Sequence, residues 1–544
     1  MYRLHRVQNG LALADDDNDH WYQQRSRILP DDRQPTEWKA TMTTTTDVLD
    51  VLIIGAGISG IGAAHYLTTE HPAKSFEIIE SRHTVGGTWD LFKYPGLRSD
   101  SDLHTFGFAF KPWTDNQAIA DAPRILDYLN EAVDDDDLRD KIRFNRRVTA
   151  VDWNSAEQVW VATLTHTDSA DADPETETVK ARWIFAGTGY YNYDEGFSPE
   201  FPGRDDFQGL IVHPQHWPED LDYAGKKVVV IGSGATAVTL VPSMTGEAEH
   251  VTMLQRTPTY VIPLPREDVI ANVLKKVLGP KLGYRLSREK NVLQQRVVYE
   301  LSQRFPTPMR AVIRGTNKAM LGRNYPLDPN FNPPYNPWDQ RLCVVPDGDM
   351  FKALKRGEAT IVTDRIKTFT KTGILLESGT ELEADIIVTA TGLNLQLLGG
   401  MDVALDGEPV DLTQSISYRG MMLSGLPNFA MAIGYTNSSW TLKVDMLCSY
   451  FTRLLSHMDA KGYTSVVATP DPGMQTRPLL DFGAGYVQRA LDRLPRQGTE
   501  EPWKMSMSVY HDRKAILKAP VDDEFLVYQK AVPAEVLDGE PAAV

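Results

Sequence analysis

Gly55, Gly57 and Gly60 stand in the order Gly-x-Gly-x-x-Gly, a spacing suited to holding a pyrophosphate. The first glycine permits a tight turn, the second lets phosphate oxygens approach the backbone, and the third lets a helix pack closely on the preceding strand. Free N–H groups and the positive end of the helix dipole then face the anion. Glu80 closes a second short apolar run, at the distance where an acid binds a ribose hydroxyl. The arrangement recurs at Gly232, Ser233, Gly234, Ala235, Thr236 and Ala237, with alanine at the helix-packing position. The strand after it ends in Arg256 and Thr257, and an arginine in the place of Glu80 suits a 2'-phosphate. Two sites of opposite ribose chemistry imply two cofactors, FAD at the first and NADPH at the second, with electrons passing from nicotinamide to flavin.

Each turn needs a strand before it and a helix after it. Residues 51–54 and 227–231 are short runs of branched side chains that read as buried parallel strands, and residues 61–67 read as a helix. Residues 86–108 place glycines, aromatics and a Pro-Gly turn in one loop, suited to lying over a flat ligand. Residues 147–151 and 160–164 alternate as a hairpin would, with a polar link near 168–178 after them. Residues 181–189 and 384–392 echo each other as strands ending in small residues. Apolar residues at helical spacing, among them Val273, Val277, Leu293, Val297 and Leu301, predict a helical insertion. Residues 1–47 show little apolar periodicity and read as a mobile extension.

At 544 residues the chain should form two or more domains. A net charge of -17 weighs against nucleic-acid or anionic-membrane binding, while leaving room for a local basic site. Cys343 and Cys448 form no Cys-x-x-Cys, which excludes a dithiol redox centre and suits a reducing, cytoplasmic setting. No run is long enough to span a bilayer, no signal-peptide core precedes the first strand, and no metal site is expected.

Between the two turns, Phe207, Gly209, His213, Trp217 and Pro218 fit the Phe-x-Gly-x-x-x-His-x-x-x-Trp-Pro fingerprint of Baeyer–Villiger monooxygenases, and residues 48 to about 515 resemble that family. Residues 86–102 and 335–341 are most similar to its branch of ethionamide-activating monooxygenases. Besides the glycines, Ser59, Glu80, Thr88, Trp89, Asp90, Leu91, Asp100 and Val148 resemble the family's FAD-contacting positions. Arg98, Ser99 and Asp100, the turn and helix from Ser233 through Val238 to Thr239, and Arg256 with Thr257 resemble those contacting NADP. Arg341 resembles the active-site arginine and Asp100 its carboxylate partner. Gln340 departs from the Lys of other branches, and Asp90 with Leu91 replaces an aromatic pair, so phosphate contacts and substrate scope do not carry over from them. A guanidinium keeps its charge at working pH, so Arg341 could hold the anion of a C4a-peroxyflavin and then the negative adduct on a ketone. His213 and Trp217 are expected to couple domain motion to nicotinamide binding.

The resemblance implies an α/β fold of two Rossmann-like, three-layer ββα domains. FAD binding falls to residues 48–190 and 385–544, NADP binding to 191–265 and 338–384, and the helical insertion to 266–337. The expected reaction uses NADPH and O2 to convert a ketone to an ester or lactone, with sulfoxidation as a side activity. Two alternatives compete: oxygenation of sulfur or nitrogen by the same flavin, and a non-catalytic NADPH-binding flavoprotein, which would have no need of Asp100 and Arg341.

Overall fold

Val51 and Ile53 point to one side of their strand and Leu52 and Ile54 to the other, and all four are buried. A strand apolar on both faces needs cover on both, so three layers follow. In the computed structural model, which describes residues 43–44, 47–168 and 175–531, Leu49–Ile54 pairs in parallel with Phe76–Ile79 and with the end of Thr176–Ala186. Ile142–Arg143 and Phe429–Met431 extend this parallel sheet at its two sides. The Ile58–Glu70 and Thr441–Lys461 helices cover one face. Arg146–Asn154 and Val159–His166, with the start of Thr176–Ala186, form an antiparallel meander packed on the other through Trp153 and Trp160.

The second domain repeats the plan. Leu210–Val212, Ile386–Thr389, Lys227–Ile231, His250–Gln255 and Ala359–Thr363 form a parallel sheet. Val228 and Val230 face the Ala235–Met244 and Asp349–Arg356 helices, while Val229 and Ile231 face an antiparallel layer that begins at Ile366–Thr370. Ile386–Thr389 corrects the expected domain boundary. Assigned to the FAD part by a cut at 385, it pairs with Val228–Ile231 in the middle of the second sheet. Its likeness to residues 181–189 reflects the same central place in two different sheets. The chain crosses back only after Gly392, where Leu393–Leu395 pairs with Tyr191–Gly196, and these two short strands are the crossings between the domains.

The insertion is helical as expected, with helices at Val269–Leu278, Pro280–Arg304 and Pro306–Leu321. Asp268 caps the first by accepting from the Ala271 N–H at 3.0 Å. The second helix docks on the first domain: buried Arg288 pairs with Asp445 at 2.8 Å and donates to the carbonyls of His104, Thr105 and Gly107. Residues 1–47 lie outside the described residues except 43, 44 and 47; Thr43–Thr44 pairs with Glu177 and Thr178. Of the polar link, 169–174 lie outside them, and its end from Thr176 belongs to the long strand. Among the described residues no helix is long and apolar enough to cross a membrane.

Candidate active site

The carboxyl ends of the first sheet's strands open on a cleft. Gly55 adopts φ +100°, and a Cβ on Gly60 would stand 1.9 Å from the Gly55 carbonyl oxygen, so turn and helix close only on glycine. Gly57 and Gly87 face each other across a slot: a Cβ on Gly57 would lie 3.7 Å, and one on Gly87 3.2 Å, from the opposite Cα. The two backbones can approach this closely because neither residue carries a side chain. Glu80 is 4 % exposed and accepts from the N–H groups of Ala56 at 2.7 Å and Arg82 at 2.9 Å. Burial pushes its carboxyl above the usual range, and the two N–H donors oppose that shift.

Of the expected residues, Gly55, Gly57, Ser59, Glu80, Thr88, Trp89, Ser99, Asp100, Val148 and Arg341 line this cleft. Asp90 and Leu91 do not. The Asp90 carboxylate is buried between Arg82 and Lys93 at 2.9 Å, so it fastens the loop instead of facing a ligand. Arg146, Arg147, Tyr190, Tyr191, Tyr193 and Trp440 also line the cleft and were missed in the sequence. Tyr193 hydrogen-bonds Thr88 Oγ1 at 2.9 Å, Trp440 donates from Nε1 to Ser59 Oγ at 2.8 Å, and Tyr190 stacks on Trp440 with centroids 5.2 Å apart. The tyrosines follow the small-residue strand end at 187–189, the edge where α/β sheets bind ligands, and that signal was there to be read. Trp440 comes from 381 residues away and carried none.

Arg341 and Asp100 meet at the cleft where the domains adjoin, with Nη2 3.3 Å from Oδ1. Arg341 is 37 % exposed, and what it is exposed to is the cleft. The charge of Asp100, acting against burial, raises the Arg341 pKa further above its already high ordinary value, so the side chain is a permanent cation.

The second turn is open. Gly232 adopts φ +144° and a Cβ there would stand 2.3 Å from the Ala390 carbonyl oxygen, but one on Gly234 would meet nothing within 4 Å. Ser233 Oγ donates to the Thr257 carbonyl at 2.8 Å. Strand register corrects the place given to Arg256. Gly55 N–H donates to the Ile79 carbonyl and Gly232 N–H to that of Leu254, so Gln255 stands where Glu80 does. Gln255 is buried and donates to the Asn330 carbonyl and Thr363. Arg256, one residue on, is exposed and pairs with no carboxylate among the described residues. Val238 and Thr239 are buried in the helix packing at 1 % and 6 % exposure, away from the open turn, and Ala237 packs in the same core. Ala235 and Thr236 open the helix and stay accessible. Arg98, expected to reach NADP, pairs with Asp349 at 2.6 Å across the domains.

The fingerprint residues clamp a crossing strand. The His213 ring occupies the space of a Gly196 side chain, a Cβ there lying 2.0 Å from it, and Nδ1 accepts from the Gln215 N–H at 3.2 Å. Gln215 Nε2 donates to the carbonyls of Asn192 at 2.9 Å and Tyr193 at 3.0 Å. Burial lowers the His213 pKa, so the ring is neutral near pH 7. A Cβ on Gly209 would stand 2.3 Å from the Asp385 carbonyl oxygen, while Phe207 and Trp217 are buried in the second domain's cores and Pro218 follows directly.

Two dinucleotide-binding folds that adjoin at the Arg341–Asp100 pair define a two-cofactor oxidoreductase architecture. Residues 49–398 match the flavin-binding monooxygenase-like family, and the chain belongs to it. It is 49 % identical over 487 residues to the FAD-containing monooxygenase EthA of Mycolicibacterium smegmatis, covering 89 % of this chain and 98 % of that one. It is also 49 % identical over 485 residues to the probable FAD-binding monooxygenase AlmA of Acinetobacter baylyi, covering 89 % and 96 %. In fold it resembles a steroid monooxygenase bound to NADP, with a TM-score of 0.65 and 24 % identity over 79 % of this chain and 88 % of that one.

Proposed function

We propose that this protein is an NADPH-dependent, FAD-containing Baeyer–Villiger monooxygenase that converts ketones to esters or lactones and oxygenates sulfides as a side reaction. The observation that carries the reading is the Arg341–Asp100 pair at the cleft shared by the two domains. In the first domain Gly55, Gly57, Ser59, Glu80, Thr88, Trp89 and Val148 would hold FAD. In the second, the open turn from Gly232 to Ala237 would take the pyrophosphate of NADPH, with Arg256 and Thr257 at its 2'-phosphate. Bound FAD, reduced by NADPH, would supply one oxygen atom of O2 to the substrate, the other leaving as water with the hydride of NADPH and one proton from solution.

The protein's part is electrostatic. Arg341 offers fixed donors to negative charge developing beside the substrate carbonyl, and Asp100 orients the guanidinium without neutralising it. Tyr190 and Trp440, stacked at the wall, give the cleft an aromatic surface. His213 and Gln215 tie the second domain to the crossing strand whose Tyr193 reaches Thr88, so movement of that domain is felt in the first. Sulfur oxygenation as the main activity is the second reading, favoured by the resemblance of residues 86–102 and 335–341 to the ethionamide-activating branch. Purified yellow protein given NADPH, O2, a panel of linear, cyclic and aryl ketones and methyl phenyl sulfide separates the two. Esters or lactones formed in step with NADPH use are expected; sulfoxide alone, with every ketone untouched, would overturn the first reading.

A further inference from the structure

The acidic net charge of the chain hides a basic region. Residues 269–321 hold five Lys and six Arg against two acids, Glu289 and Glu300, which pair with Arg513 and Arg296. The same region carries a row of exposed apolar side chains. Val269, Val273 and Val277, at four-residue steps on the first helix, are 69, 54 and 72 % exposed. Leu282, Leu286, Leu293, Val297 and Leu301 form a matching stripe on the second. Single exposed apolar residues need no explanation, but a row along two adjoining helices does.

The two helices meet at Gly283, where a Cβ would stand 2.5 Å from the Lys275 Cα. Around this turn, residues 269–286 contain no acid. Lys276, Lys281 and Arg285 are exposed and pair with no carboxylate among the described residues. The inner face is committed elsewhere: Arg288 pairs with Asp445, and Asn291 donates to Asp102. The stripes therefore cannot turn inward. A second copy of the chain is a poor cover, because a two-fold contact sets this basic surface against itself.

We propose that the Val269–Arg304 helix pair rests on the surface of an anionic lipid bilayer. Val277, Leu278, Leu282 and Leu286 would enter the boundary between headgroups and acyl chains, and Lys276, Lys281 and Arg285 would meet the lipid phosphates. Average charge misses such a site because a local excess of one sign governs contact within a Debye length.

The test is flotation of the full, FAD-loaded chain with vesicles of phosphatidylcholine alone or mixed equally with phosphatidylglycerol. The protein should float with the mixed vesicles, fail to float with the neutral ones, and be released by salt. Val277→Asp with Leu282→Asp, and separately Lys276→Glu with Lys281→Glu and Arg285→Glu, should each weaken binding on the order of tenfold or more, with NADPH oxidation in solution unchanged. Three outcomes overturn the proposal: no flotation with either vesicle, flotation of both variants equal to that of the parent, or a dimer dissolved by the apolar variant with no lipid binding.

Discussion

The chain contains one strand–turn–helix device twice and surrounds it in two different ways. At the first turn, the Gly57 slot is closed by Gly87, Glu80 is buried against the Ala56 N–H, and Trp440 reaches in from the far end of the chain to bond Ser59. At the second, Gly234 faces open space, the Ser233 hydroxyl bonds Thr257 of its own unit, and Arg256 is exposed and pairs with no carboxylate among the described residues. Identical phosphate chemistry is thus set in a wall in one case and on a ledge in the other. A cofactor that stays needs the first, and one that must arrive and leave with each turnover needs the second.

The largest effect is expected where the two sites meet. Arg341→Ala should lower oxygenated product by roughly 10²–10³-fold while NADPH oxidation continues, its electrons going to peroxide. Product formed in step with NADPH use in the variant would remove Arg341 from the chemistry. Next come the glycines, which break the comparison if they behave alike. Gly60→Ala drives a Cβ to 1.9 Å from a carbonyl oxygen and should cost about 3 kcal/mol or more, with FAD lost on purification. Gly234→Ala meets no atom, so thermal unfolding should move by no more than about 0.5 kcal/mol, its whole effect falling on the KM for NADPH. Arg256→Ala should raise that KM by roughly ten- to a hundredfold, the worth of a charge-assisted phosphate contact, with kcat unchanged and the preference over NADH gone. An unaltered NADPH/NADH ratio would show that the ledge does not read the 2'-phosphate.

Both turns, the fingerprint and the insertion were legible because each is written in short-range spacing. The errors fall where three-dimensional register outruns counting. Arg256 looked equivalent to Glu80 because each follows its strand, yet the ladder sets Gln255 there, the second strand running one residue further past the bond to its turn. The cut at 385 gave Ile386–Thr389 to the first domain; its small-residue end is like that of residues 181–189, and only pairing tells the sheets apart. Val238 and Thr239 follow a turn that faces a ligand, but the helix rotates them into the core within one turn. Trp440 was invisible for a different reason: its partner is distant in sequence, and no local pattern requires it.

That invisible contact gives the smallest and most discriminating prediction. Trp440→Phe keeps an aromatic ring against Tyr190 and removes the 2.8 Å bond from Nε1 to Ser59 Oγ together with part of the indole's packing. Ser59 is 3 % exposed, so its hydroxyl is left with little water to replace the donor, and a lost hydrogen bond of this kind costs about 0.5–1.5 kcal/mol. Flavin fluorescence during dilution into mild urea should therefore show FAD release roughly two- to tenfold faster, with the KM for NADPH unmoved. Ser233→Ala is the counterpart on the ledge, where the lost bond runs to Thr257 within the same unit. It should leave FAD release untouched and raise the KM for NADPH. If Trp440→Phe retains FAD as the parent does, the wall is not what holds the first cofactor, and the contrast between the two turns reduces to the glycines alone.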